Sequence, residues 1–86
     1  ISNLKNLEIL NLSDNKIKSI PLETNNLINL QILELSNNQI TTIPSNIKKL
    51  INLKKLCLNN NQIKLIAIEI GHLSKLEQFL IYNNPI

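Results

Sequence analysis

Apolar positions along this chain recur with a period of 23 residues: Leu10, Leu33, Leu56 and Phe79 stand in register, and the neighbouring columns keep step. The pattern Leu7-x-x-Leu10-x-Leu12-x-x-Asn15-x-Ile17 returns from Leu30 to Ile40, from Leu53 to Ile63 and from Leu76 to Ile86, with Phe79 and Ile81 in two of its places. A unit of this length is one supersecondary element that cannot bury its apolar face alone, so at least three must stack to close a continuous core. That condition confines the chain to repeat architectures.

Each column has a physical role. Alternation at Leu10-x-Leu12 has period two, which puts both leucines on one face of a short strand and Asn11 on the other. The expected strands are residues 9–12, 32–35, 55–58 and 78–81. Successive units run the same way, so these strands pair in parallel at about 4.8 Å, and identical columns become ladders along the stack. The strand side is expected to be concave. On the return path, Pro44-x-x-Ile47-x-x-Leu50 spaces apolar residues three apart, with proline at a first-turn position, as suits a short 3₁₀ or α turn on the convex side. Asn15, Asn38, Asn61 and Asn84 follow the strands where the backbone leaves the ladder, and an amide offers the freed polar groups both donor and acceptor. Their expected role is structural.

The remaining columns are Ile20, Ile43 and Ile66; Pro21 and Pro44; Ile1, Ile47 and Ile70; and Leu4, Leu27, Leu50 and Leu73. Together with the I-P-x-x-I-x-x-L-x-N-L run and the stretch Asn37-Asn38-Gln39-Ile40-Thr41-Thr42-Ile43-Pro44, they make the chain resemble the leucine-rich repeat family. The resemblance is to its bacterial, leptospiral-type subgroup, with isoleucine often in place of leucine. It implies an α/β repeat solenoid: an arc with a parallel β-sheet on the concave face, short 3₁₀ or α turns on the convex face, and an inward asparagine ladder. It covers the whole chain as one domain, residues 1–86, with a partial leading unit 1–6, units starting near 7, 30 and 53, and a truncated unit 76–86. Proteins of this type are exported or surface interaction proteins, and similar units occur in cytoplasmic scaffolds.

Composition narrows the function. With 43% hydrophobic residues in 86, the chain can fill a thin, elongated core. Polar residues interrupt every apolar window, so neither a membrane span nor a signal-peptide core is expected. The sequence begins with Ile1 in place of methionine, as for a processed product or a piece of a longer chain. The single Cys57 cannot form an intramolecular disulfide. The net charge of +3 comes entirely from lysine, with no arginine, and the aromatic residues are Phe79 and Tyr82 alone. Specific nucleic-acid recognition, which favours arginine forks and aromatic platforms, is not expected. Lys48, Lys49, Lys54 and Lys55 form a local basic cluster, read as a solubilising surface, and Lys54 falls between Gln31 and Glu77, where an exposed ion pair is expected.

No catalytic set can be assembled around His72, the only histidine, and there is no glycine-rich phosphate loop, so neither an enzyme nor a cofactor is expected. Glu69 and His72, three apart on a turn, are weak metal candidates that need ligands from elsewhere. Function then falls on the variable strand-face positions: Ile9, Asn11 and Ser13; Ile32, Glu34 and Ser36; Lys55, Cys57 and Asn59; Gln78, Leu80 and Tyr82; flanked by Asp14, Asn37, Asn60 and Asn83. Their mixture of apolar, amide and charged groups suits a protein partner, with Tyr82 as the expected anchor. Two irregularities stand out. Thr24 takes an isoleucine column and should loosen its turn, and Ala67-Ile68 with Leu65 and Ile51 should leave apolar surface on the convex side. Neither end reads as a polar cap, so a self-assembling protein, forming homo-oligomers through the repeat ends, is the alternative function, beside the recognition part of a larger protein.

Overall fold

The computed structural model describes residues 4–86. Four strands, β1 (Ile9–Asn11), β2 (Ile32–Glu34), β3 (Lys55–Cys57) and β4 (Gln78–Leu80), form one parallel sheet in the order β1-β2-β3-β4. The register repeats without a slip: Leu10 pairs with Leu33, Leu33 with Leu56, and Leu56 with Phe79. Between the strands the chain returns through three 3₁₀ turns, η1 (Leu22–Asn26), η2 (Ser45–Lys49) and η3 (Ile68–His72). The expected stacked solenoid is therefore present, with 3₁₀ geometry in all three turns.

Regular strand pairing ends one residue earlier than the alternation predicts, and the asparagine column gives the reason. Leu12 still donates its N–H to Glu34, and Leu35 to Cys57. Their carbonyls are taken by side chains, because Asn38 donates Nδ2 to both Leu12 and Leu35. The ladder is thus handed from backbone to amides.

The inward side chains of the middle rungs are fully buried: Leu30, Leu33, Leu35, Ile40, Leu53, Leu56, Leu58 and Ile63. Ile47 and Leu50 close the core from the turn side. Leu7, Leu10, Leu76, Phe79 and Ile81 are only partly buried, since the outer rungs have one described neighbour each. Stability therefore rests on rung-to-rung contact.

The turns correct two expectations. Pro21 and Pro44 are the extended residues before the turns, at φ −58°, ψ 135° and φ −71°, ψ 152°, and are not first-turn residues. Their carbonyls accept the N–H groups of Thr24 and Ile47. Ala67 takes the same conformation, φ −66°, ψ 136°, and its carbonyl accepts Ile70 N–H in the same way. Thr24 does not loosen η1: it is fully buried, and the turn's bonds at 3.0 Å match those of η2 and η3 at 3.1 Å. Its Oγ1 has no hydrogen-bond partner among the described residues. Ile1, expected in the same column, lies outside the described residues.

Candidate functional site: the concave strand face

Strand residues that alternate with the core leucines form three rows across the sheet. The first row is Ile9, Ile32, Lys55 and Gln78, and the second is Asn11, Glu34, Cys57 and Leu80. Ser13, Ser36, Asn59 and Tyr82 follow where the strands end. Ile9 and Tyr82 are the most open apolar groups here, at 58% and 59% exposure, while Ile32 and Leu80 are half-buried. The face is apolar at two separated places and polar between them.

The polar middle is internally connected. Lys55 Nζ lies 3.6 Å from Glu34 Oε1, diagonally across β2 and β3. This is the only ion pair among the described residues, so the expected partner column is corrected from Lys54 to its neighbour Lys55. Among the described residues Glu77 is not within ion-pair distance of Lys54. In β1, Asn11 Oδ1 accepts both the N–H and the hydroxyl of Ser13, holding that pair together.

Two residues expected on the open face are buried. Cys57 is 5% and Asn59 4% exposed. Asn59 donates Nδ2 to Cys57 Sγ at 3.2 Å and accepts Tyr82 N–H at Oδ1, 3.2 Å. Cys57 lies between Glu34 and Leu80 in the sheet register. Asn59 seats the Tyr82 backbone on the preceding rung, a role that the repeat alignment did not indicate.

The asparagine column runs behind the face. Asn61 accepts Ile40 N–H at Oδ1 (3.0 Å) and donates Nδ2 to Leu35, Leu58 and Asn59 carbonyls. Asn38 and Asn84 accept Ile17 and Ile63 N–H in the same way. Asn15 is exposed and, among the described residues, its side chain bonds only to its own turn, at Leu12 and Ser13.

A second polar column was legible only as flanking residues. Asp14, Asn37, Asn60 and Asn83 all have φ between 58° and 60°, the left-handed region. Asparagine and aspartate tolerate that conformation better than other residues with a side chain, and that recurrence of Asx was the available signal. Asn37 Nδ2 reaches Asp14 Oδ1 at 2.7 Å, and Asn83 Nδ2 reaches Asn60 Oδ1 at 2.9 Å. This column fixes the rim of the face.

Outside the face, Leu65 and Ile68 are 80% and 85% exposed on the convex side, as the irregular Ala67 unit predicts. Lys48 and Lys49 lie on η2 and Lys54 and Lys55 at β3, so the basic cluster is divided between turn and strand. On η3 Glu69 is half-buried and His72 exposed, and no group of three or more histidine, cysteine, aspartate or glutamate residues that could hold a metal occurs among the described residues. No described helix is long and apolar enough to cross a membrane.

Comparison with known proteins agrees with this geometry. The family description "Leucine-rich repeat region" matches residues 1–84. Among solved structures, the chain is similar to a leucine-rich repeat protein of Leptospira interrogans, with 42% identity over 96% of this chain and a TM-score of 0.93. The match spans 21% of that longer chain. No curated protein matches. An unslipped parallel ladder, a 23-residue period and a family match over nearly its full length lead to one conclusion: this chain belongs to the leucine-rich repeat family.

Proposed function

We propose that the chain is a non-catalytic binding module that presents its concave strand face to a protein partner. The observation that carries this reading is the arrangement on that face: open Ile9 and Tyr82 at separate corners, with the Glu34–Lys55 pair between them. Such a surface offers two apolar anchors and, between them, a polar pair that can orient a partner. Ser36, Asn11 and Gln78 supply hydrogen-bonding groups around it. Family membership supports the class of function, because leucine-rich repeat domains generally mediate protein interactions.

Site-specific photo-crosslinking tests the reading. A photoreactive residue at Asn11 should capture a defined protein that the same residue at Lys49, on η2, does not. Equal capture from both positions contradicts it.

Association of copies through the terminal rungs is the second reading, favoured by the exposure of Leu4, Ile66 and Ile86. Light scattering across concentration separates the two. A monomer at the highest concentration removes the second reading, and reversible growth in mass that Ile66→Ser and Ile86→Ser abolish supports it.

A further inference from the structure

A polar groove runs beside the sheet, on the side where the chain enters the strands, and it shares no residue with the concave face. Its walls are two ladders. One is Glu8, Gln31 and Lys54, tied rung to rung by Gln31 N–H to Glu8 O at 2.7 Å and Lys54 N–H to Gln31 O at 2.8 Å. The other includes Asn29, Asn52 and Lys75.

The charges in this groove are polarised along the stack. Glu8 lies on the first rung, amides fill the middle, and Lys54 and Lys75 lie toward the other end. Neither lysine has an ion-pair partner among the described residues; Lys75 Nζ instead donates to Asn52 Oδ1 at 2.8 Å, which holds the ammonium at the groove. Glu77 stands one rung beyond Lys54, outside the lining. Asn29 spends its Nδ2 on Lys5 O, and its Oδ1 accepts no hydrogen bond among the described residues. The Gln31 side chain makes none either. Unused amide groups between opposite charges match the needs of an extended backbone, whose N–H and C=O groups must find partners on binding.

We propose that this groove binds an extended peptide segment carrying a cationic and an anionic side chain about three residues apart. The spacing follows from the stack. Rungs about 4.8 Å apart put Glu8 and Lys54 about 10 Å apart, and a chain extended as polyproline II rises about 3.1 Å per residue with residues three apart on one face. The cation faces Glu8, the anion faces Lys54 and Lys75, and Asn29 and Gln31 bond the backbone between them. A simple anion uses only the lysine end and leaves the amides and Glu8 idle.

The test is a titration of the ¹⁵N-labelled 86-residue chain with the blocked tetrapeptide Lys-Ser-Thr-Asp, followed by NMR. Shifts are expected at the side-chain amides of Asn29 and Gln31 and the backbone amide of Lys54. Exposed charge contacts are individually weak, so K54E/K75E together should weaken binding about tenfold. Lys-Ser-Thr-Lys should bind that double variant better than it binds the original chain. E8Q should weaken Lys-Ser-Thr-Asp but leave Ser-Ser-Thr-Asp unaffected, a result that a misfolded variant cannot give. The proposal is overturned if the groove amides do not respond. Inorganic phosphate shifting them as strongly, Ser-Ser-Thr-Asp binding the original chain as well as the dipolar peptide, or shifts confined to Asn11 and Glu34 overturn it too. A silent groove leaves the concave-face reading untouched.

Discussion

Replacing Asn61 by leucine should cost far more than replacing Asn15, although the two occupy the same column. Asn61 is 3% exposed and joins two rungs, whereas Asn15 is exposed and, among the described residues, its side chain bonds only within its own turn. In Asn61→Leu the buried N–H of Ile40 loses its acceptor, and leaving such a donor unsatisfied costs about 1–3 kcal/mol. The Leu35 and Leu58 carbonyls each lose one bond but keep another, from Asn38 and Asn84, which adds about 0.5–1 kcal/mol apiece. The sum, about 2–5 kcal/mol, is a large part of the about 4–13 kcal/mol expected for a chain of this length. Asn15→Leu gives up two exposed bonds and should cost under about 1 kcal/mol. Leucine has as many side-chain heavy atoms as asparagine, so no cavity opens, and its greater bulk only adds to the cost at the buried position. Urea denaturation followed by circular dichroism reads both. Costs within about 1 kcal/mol of each other would refute the view that inter-rung amides hold the stack.

Thr24→Val removes a buried hydroxyl that has no partner among the described residues while keeping its shape, and should raise stability by about 1 kcal/mol in the same assay. Ala67→Pro should stabilise by about 0.4–1 kcal/mol, read as a higher thermal midpoint, because Ala67 already has φ −66° in the place of Pro21 and Pro44. At Asn60, φ is 59°, so Asn60→Val should cost about 1–2 kcal/mol and Asn60→Gly clearly less, despite losing the same bond from Asn83. Equal losses in the two variants would show that the side-chain bond, and not the backbone conformation, sets the requirement.

The period made the fold legible, because each column is a physical constraint repeated four times. Leu10, Leu33, Leu56 and Phe79 could be placed in one ladder from spacing alone, and they share a register. What spacing could not resolve is how unlike neighbours adjust to one another. Cys57 and Asn59 alternate in the sequence like any outward residue, yet both are buried and joined by a hydrogen bond. Lys54 and Lys55 are adjacent, and the choice of which one finds a carboxylate depends on the reach of Glu34 across the rung. The one-residue shortening of the strands came from a competition that the pattern does not express, in which side-chain amides take the carbonyls of Leu12 and Leu35. Alanine at position 67 could be recognised as a departure from proline, but only the structure shows that the backbone there is unchanged.

The most direct test of the concave-face reading is the affinity of the partner captured from Asn11, measured by calorimetry for the original chain and for the variant Ile9→Ser, Ile32→Ala, Tyr82→Ala. Loss of such apolar anchors costs about 2–4 kcal/mol, so the dissociation constant should rise by about 30-fold or more while the variant keeps its circular dichroism. An unchanged affinity would mean that the partner is held by another surface.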